Sequence, residues 1–67
     1  MKNTLKVERA IQNLTQADLA DKIGVSRQTI NSIESEKYVP STILALKLSE
    51  VFGKTVNEIF TLQDEDR

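Results

Sequence analysis

QADLADKIGVSRQTINSIES, residues 16–35, contains two short helical patterns with a very short connection between them. Leu19 and Ile23 are four residues apart, so they lie on one face of a helix. Gly24 follows at the position where a helix often ends in a left-handed conformation. Ser26 comes two residues later and is of a type that favours the N-cap of a new helix. The pattern predicts two helices joined by a tight turn that begins at the glycine.

Start and stop signals on either side of this stretch predict three more helices and no strand alternation. Asn13 is expected to end the first helix, Pro40 blocks helix continuation before the fourth, and Gly53 ends the fourth. The expected helices cover residues 5–12, 16–23, 27–35, 42–52 and 56–60. The sequence therefore predicts an all-α domain of five short helices around one aliphatic core.

Helical spacing also predicts which apolar side chains form that core. Ala20 is expected where the two central helices cross closely, because a larger side chain would push them apart. The other core residues expected from these helices and their turn are Leu19, Ile23, Val25, Ile30 and Ile33. The first helix is expected to pack through Leu5, Val7 and Ile11. The expected stripe on the fourth helix is Ile43, Leu44, Leu48, Val51 and Phe52.

Sixty-seven residues, 39% of them hydrophobic and 28% charged, describe one small globular domain. The chain has no histidine and no cysteine, which removes the commonest general base, the commonest metal ligand and the usual nucleophile pairs. No apolar run approaches the length of a membrane span, and the N-terminus lacks the apolar stretch of a signal peptide. We therefore expect a cytoplasmic protein without a cofactor, metal site, membrane contact or small-molecule effector, and we do not expect an enzyme.

The charge of the chain, −1 in all, supplies no general attraction to nucleic acid. Three of the ten acidic residues lie in residues 64–67, which we expect to form a loose acidic tail after a domain of residues 1–63. That domain carries eight basic and seven acidic side chains, a balance of +1. Any binding of DNA would therefore depend on the local arrangement of hydrogen-bond donors and helix ends.

LTQADLADKIGVSRQTINSIESEKYVPS, residues 14–41, closely resembles the Cro and phage-repressor type of helix-turn-helix, also called the xenobiotic-response-element (XRE) family. The likeness extends over residues 5–60 and is greatest to compact, single-domain dimeric repressors such as the cytolysin-operon repressors. It implies a lambda-repressor-like fold and sequence-specific binding of double-stranded DNA. It also implies a homodimeric transcriptional regulator, expected to be a repressor, at an inverted-repeat operator.

The resemblance implies roles for side chains in and around the third helix. In the family this helix lies in the major groove, and its N-terminal residues contact base edges. Arginine suits guanine there, and glutamine suits adenine. The implied base contacts are Arg27, Gln28, Thr29, Asn31 and Ser32. The implied phosphate contacts are Gln16, Ser26, Lys37, Tyr38 and Ser41.

Several of these residues also have simpler interpretations. Arg27 taken alone is a solvated surface arginine, and Tyr38 has the alternative of packing its ring against the loop. Ser26 is expected to cap its helix whether or not it touches DNA. Glu36 stands where the family often has glycine, and its carboxylate would oppose a phosphate contact of the neighbouring Lys37.

Arg9 and Glu34 match a family pair that forms a salt bridge between the first and third helices. The resemblance therefore implies a structural role for both, although they look like charges available to a ligand. Removing one partner of such a pair leaves the other charge buried and uncompensated. Substitution of either residue is expected to unfold the domain more than it weakens DNA binding.

The last helix and the segment after it carry more apolar surface than so short an element can bury in its own chain. The residues concerned are Val56, Ile59, Phe60 and Leu62. We predict that they form the seam of a homodimer, since one such domain contacts only about half of a two-fold site. Residues 61–63, extended beside residues 1–4, would add a small two-stranded sheet. The alternative is that the four apolar residues only close the core of the monomer.

Two other classes of function stay open from the residues alone. A protein-interaction module would use the same fold, for example as the antitoxin of a toxin–antitoxin pair. An antitoxin normally adds a disordered toxin-binding segment, and only about seven residues follow the last helix here. An enzyme is the less favoured class, because the chain has no phosphate-cradling glycine loop and its acidic cluster lies in the tail.

Overall fold

A computed structural model describes residues 1–67 as five α-helices and one small sheet. The helices are α1 (Leu5–Ile11), α2 (Gln16–Ile23), α3 (Arg27–Glu34), α4 (Thr42–Phe52) and α5 (Val56–Ile59). The strands are β1 (Lys2–Asn3) and β2 (Phe60–Thr61), and a 3-10 turn covers Asp64–Asp66. The predicted five-helix architecture with a small sheet is confirmed. A bilayer span would need a longer and more apolar helix than any of these.

Hydroxyl side chains begin four of the five helices. These N-caps are Thr15, Ser26, Ser41 and Thr55. Each side-chain oxygen accepts the backbone N–H of the residue three positions later, which satisfies a donor that the first helical turn leaves free. At Thr15 and Thr55 the acidic residues Asp18 and Glu58 accept the N-cap N–H in return. The local sequence therefore determines where α2 to α5 begin.

The core is largely aliphatic and draws on all five helices. Its members are Leu5, Leu19, Ala20, Ile23, Ile30, Ile33, Leu44, Leu48, Phe52, Ile59 and Phe60. The contact between α2 and α3 is the most extensive of any two elements, and the small side chain of Ala20 is buried there on α2. Ile30 and Ile33 hold α3 from its inner side, so its position follows from core packing.

The face of α1 that turns inward is not the one its apolar residues predict. Leu5 and Glu8 are buried, whereas Val7 and Ile11 are exposed, Ile11 over 66% of its surface. Glu8 Oε2 accepts a hydrogen bond of 3.0 Å from Lys54 Nζ, which compensates the burial of the carboxylate. The expectation that Val7 and Ile11 pack α1 is wrong, because Leu5 and the Glu8–Lys54 pair occupy the inward face.

The inward face of α4 is narrower than its composition suggests. Leu44, Leu48 and Phe52 are buried at four-residue intervals, and Val51 is half-buried beside them. Ile43 is 70% exposed, because one residue before Leu44 means a rotation of about 100° around the helix axis. The expected apolar stripe is thus confirmed in its centre and wrong at Ile43.

The small sheet joins the beginning and the end of the chain. β1 and β2 run antiparallel, with Asn3 opposite Phe60 and Lys2 opposite Thr61. The expected partner of the N-terminal segment was residues 61–63, so the observed strand lies one residue earlier. Both strands come from one chain, and the sheet therefore closes a single domain.

The acidic end of the chain is folded back in the structure, whereas the sequence suggested a loose tail. The Met1 ammonium lies 3.2 Å from Asp66 Oδ2, and the Gln63 N–H donates to the same oxygen at 2.9 Å. These contacts place the 3-10 turn beside the start of β1. The two donors to the Asp66 carboxylate, the Met1 ammonium and the Gln63 N–H, lie outside residues 64–67, so the composition of that segment did not predict them.

Candidate nucleic-acid interface

α3 has one buried face and one open polar face. Ile30 and Ile33 are fully buried against the core. The side chains of the polar face are exposed or half-buried. They are Arg27, Gln28, Thr29, Asn31 and Ser32. These are the five expected base contacts. The capped start of α3 at Ser26 and its two buried isoleucines therefore present all five on one short, firmly packed helix.

A polar depression of about 300 Å³ lies beside this face. Its lining residues are Ser26, Gln28, Thr29, Ser32, Lys37 and Tyr38. Every one of them belongs to the expected DNA contacts, three from the base set and three from the phosphate set. Tyr38 supplies the only apolar wall of the depression and is 46% exposed. The structure thus brings base-type and phosphate-type residues together in one open surface.

Two expected phosphate contacts already use their hydroxyls as helix caps. Ser26 Oγ accepts the Thr29 N–H at 3.1 Å and lies 3.0 Å from Thr29 Oγ1. Ser41 Oγ accepts the Leu44 N–H at 3.2 Å, and Ser41 lies outside the lining of the depression. A hydroxyl keeps a donor proton and a second lone pair, so capping leaves each of these groups able to donate to a phosphate.

The side chain of Gln16 is engaged within the protein. Gln16 Nε2 donates to Glu34 Oε1 at 3.0 Å and to Asn31 Oδ1 at 3.3 Å. A phosphate oxygen accepts hydrogen bonds, and both hydrogens of this amide already have acceptors. In the free chain the Gln16 side chain therefore bridges α2 and α3, and its expected contact with a phosphate stays a prediction.

Arg9 and Glu34 form a bidentate ion pair between α1 and α3. Arg9 Nε lies 2.6 Å from Glu34 Oε2, Arg9 Nη2 lies 3.1 Å from Glu34 Oε1, and both side chains are largely buried. Arg9 Nη1 also donates to the Leu14 carbonyl at 2.9 Å. Burial acts to raise the pKa of Glu34, but the hydrogen bonds from Arg9 and Gln16 outweigh it and hold that pKa below its ordinary value. Glu34 is thus kept ionised at the C-terminal end of α3.

The end of α3 adopts a backbone conformation that favours glycine. Glu36 has φ +63°, its N–H donates to the Ile33 carbonyl, and the Lys37 N–H donates to the Ser32 carbonyl. These two bonds are those of a Schellman motif, whose left-handed residue is usually glycine. The departure from glycine at Glu36 therefore introduces backbone strain as well as a carboxylate beside Lys37.

Glu36→Gly is expected to raise the free energy of unfolding by about 0.5–1 kcal/mol. Glycine adopts the left-handed conformation without a Cβ clash, which stabilises the variant. Glycine also loses more chain entropy on folding, which offsets part of this gain. Thermal unfolding monitored by circular dichroism measures the change. Asn13→Gly is the matched control, since Asn13 has φ +55° in an equivalent helix end, and asparagine tolerates that conformation. A smaller gain is expected there, and a loss of stability in Glu36→Gly would contradict the strain argument.

The structure changes the assignment of the expected dimer seam. Ile59 and Phe60 are 1% and 7% exposed and belong to the core of one chain. They have almost no surface to offer a partner, so for these two the simpler interpretation, closure of the monomer core, is the one that fits. Val56 is half-buried, and Leu62 keeps 53% of its surface exposed.

An apolar groove of about 230 Å³ lies next to Val56 and was missed from the sequence. Its lining residues are Met1, Pro40, Thr42, Ala45, Leu46, Val56 and Phe60. Leu46 is 52% exposed although it lies in the middle of the apolar α4. Leu46 is two residues from both Leu44 and Leu48, so it lies on the opposite side of the helix from these buried residues. This spacing is the feature of the sequence that could have predicted its exposure.

Comparison with known proteins agrees with this geometry. A helix-turn-helix family matches residues 5–59. An uncharacterized HTH-type transcriptional regulator of Methanocaldococcus jannaschii is 54% identical over 66 residues, which is 98% of this chain and all of that protein. An uncharacterized HTH-type transcriptional regulator of Bacillus subtilis is 41% identical over 66 residues, with the same coverage. One from Archaeoglobus fulgidus is 41% identical and is covered over 93% of its length.

These similarities define a class of DNA-binding transcriptional regulators, a class that is generally non-enzymatic. The chain belongs to the helix-turn-helix family of the XRE type. Regulators of this class bind double-stranded DNA. In this chain the helix-turn-helix consists of α2, the turn at Gly24 and α3.

Proposed function

We propose that the protein is a repressor that binds an inverted-repeat operator as a homodimer, with α3 in the major groove. The observation that carries the proposal is the polar depression beside α3, where all six lining residues are of types that bind bases or phosphates. The exposed helix beside it supplies Arg27 and Asn31. Recognition of this kind rests on local geometry, which agrees with a chain whose net charge is only −1.

Arg27 is the strongest candidate for direct base reading. It is the first residue of α3, is exposed, and takes part in none of the ion pairs of the chain. Its guanidinium is therefore available for the bidentate contact with guanine O6 and N7. Gln28, Lys37 and Tyr38 line the depression. In the proposed complex Gln28 reads a base, and Lys37 and Tyr38 contact the phosphate backbone.

The proposed partner at the apolar groove is a second copy of the chain. The groove offers the exposed Leu46 and the half-buried Val56, and Leu62 is exposed just beyond β2. An inverted repeat requires two α3 helices about 34–36 Å apart, which a two-fold pair of domains supplies. A domain of this size also buries only about 60% of its unfolded surface, so burial of the groove would stabilise it.

Selection of targets from a random double-stranded pool tests the proposed function. We expect enrichment of an inverted repeat with half-sites about ten base pairs apart, and binding that weakens steeply as salt is raised. Enrichment of no sequence would refute operator binding. The search would then turn to protein partners, the alternative function for this fold.

Arg27→Ala is expected to weaken binding to the selected operator by about 1–3 kcal/mol and to relax the preference at one base position of each half-site. Titration of wild type and variant on the operator and on single-base substitutions measures both effects. Arg67→Ala removes an exposed arginine from the far end of the chain and should leave affinity within error. Equal losses in the two variants would show that only net charge matters.

Leu46→Lys is expected to shift the protein from dimer to monomer. Leu46 lines the groove, so formation of the dimer would bury the lysine charge without a partner. Sedimentation equilibrium at micromolar concentration measures the shift. Ile11→Lys is the matched control, since Ile11 is a similarly exposed apolar residue outside the groove. A wild-type protein that sediments at 7.6 kDa under these conditions would exclude the dimer.

A further inference from the structure

The side chains of Glu34, Gln16 and Asn31 are joined by two consecutive hydrogen bonds. The donor and acceptor of the first bond determine which atoms donate and accept in the second. Glu34 is held ionised by Arg9, so its oxygens can only accept. The Gln16 group 3.0 Å from Glu34 Oε1 must therefore be the amide NH2. That NH2 can only donate, and the Asn31 atom 3.3 Å away must be the carbonyl oxygen.

These two hydrogen bonds give the side-chain amide of Asn31 a defined orientation on the exposed face of α3. Its Oδ1 end is held against Gln16 on α2, while its Nδ2 group has no partner in the protein. An asparagine that is free to rotate pairs with adenine, accepting from N6 and donating to N7. Here the oxygen has a second lone pair, but the contact with Gln16 holds it towards α2 and leaves the amino group as the end that is free to approach DNA.

We infer that Gln16 and Glu34 fix Asn31 as a hydrogen-bond donor, so that Asn31 reads guanine in preference to adenine. Guanine presents two acceptors, O6 and N7, in the major groove, whereas adenine presents one acceptor and a donor that would face the amide NH2. Gln16 then acts as a positioning residue for a base contact, and this role accounts for the two hydrogen bonds that its amide donates within the protein. This inference rests on the proposed operator binding.

Parallel target selections with wild type, Gln16→Met and Asn31→Ala test the inference. In the wild type we expect one position of each half-site to favour guanine over adenine by about 5- to 150-fold. Asn31→Ala should abolish this preference at that position alone. Gln16→Met keeps the length of the side chain but removes the amide, so Asn31 can rotate and adenine should be selected about as often as guanine. Asn57→Ala, an exposed asparagine on α5, is the matched control and should select the wild-type sequence.

The same chain of contacts has a readout that needs no DNA. In nuclear magnetic resonance of the free protein, the Gln16 side-chain NH2 should exchange slowly with water and the Asn31 side-chain NH2 rapidly. The reverse order would overturn the inference even if Gln16→Met proved too unstable for selections.

The outcomes separate the inference from the proposed function. An enriched operator with adenine at the Asn31-dependent position would overturn the inference and leave operator binding intact. Asn31→Ala that weakens all sequences equally would assign Asn31 to a phosphate, and the base-reading role would be wrong. If the wild type enriches no sequence, the proposed function and this inference both fail.

Discussion

Arg9→Met is expected to lower the free energy of unfolding by about 3 kcal/mol, which corresponds to about 12–24 °C in Tm for a domain of this size. The substitution keeps the apolar stem but removes the three hydrogen bonds that Arg9 donates to Glu34 and the Leu14 carbonyl. Glu34 would then remain largely buried beside Gln16 without its counter-charge. Thermal and urea unfolding measure the loss.

The pH dependence of this difference identifies its cause. In the wild type the pKa of Glu34 is lowered by folding, so the stability it contributes is present above the unfolded pKa of about 4.3 and is lost as the pH falls through the folded value. In Arg9→Met, burial acts without the arginine, and protonation of Glu34 should relieve the variant. The gap between the two proteins is therefore expected to narrow from pH 7 towards pH 4 and below.

Arg27→Met is the matched control for this prediction. Arg27 is exposed and makes no ion pair in the chain, so the same substitution there should change stability by less than about 0.5 kcal/mol. The two arginines are thus expected to separate folding from DNA binding. A gap between wild type and Arg9→Met that stays constant over this pH range would show that lost packing, and not the unpaired carboxylate, destabilises the variant.

Ile30→Ala is expected to destabilise the domain by about 2–5 kcal/mol. Ile30 is fully buried on α3, and its truncation leaves a cavity in the core beneath the polar face of α3. In operator titrations below the Tm of the variant, the looser support of α3 should also weaken binding. Denaturant unfolding gives the first quantity directly.

Ile11→Ala makes the same chemical change at a residue that is 66% exposed, and it should cost less than about 0.5 kcal/mol. Similar losses in the two variants would contradict the assignment of Ile30 to the core and Ile11 to the surface. The pair also tests the orientation of α1, since the sequence alone suggested that Ile11 is buried.

Much of the fold is predictable because the signals that set it are local. Each N-cap hydroxyl acts on a residue three positions away, and Gly24 ends α2 in a left-handed conformation with φ +73°. The sequence pattern therefore located α2 without error and α3 to within one residue. The Schellman motifs at Asn13 and Glu36 are local in the same sense, and they explain why the helices before them stop.

The orientation of the helices was less predictable because it depends on distant partners. Glu8 is buried only because Lys54, near the end of α4, reaches its carboxylate. Apolar residues at helical spacing, Val7 and Ile11, indicated the opposite face of α1. No periodicity within α1 can report a lysine more than forty residues away.

The site shows the same division between local and distant effects. Capping of α3 by Ser26 and its polar face follow from adjacent residues, and the sequence predicted both. The side chains of Gln16, Glu34 and Asn31 can each hydrogen-bond to several partners, so the sequence does not show which partners they choose. The packing of α2 against α3 decides this, since it brings Gln16 within reach of the other two. Ile59 and Phe60 had apolar surface to bury, and only the folded chain shows that its own core takes them.

The pairing of β1 with β2 has a consequence for the order in which the molecule assembles. α2 and α3 are joined by a short turn, so their contact closes a small loop, whereas the strand pair closes a loop of nearly the whole chain. Loop-closure entropy rises with the number of residues enclosed, so we expect the helical pair to form early and the strands to join last. In native-state hydrogen exchange the Thr4 amide, which donates to the Ile59 carbonyl, should then open more readily than the amides of α3. Folding would thus proceed from α2 and α3 outward, and the junction of the two ends would be the last part to close and the first to open.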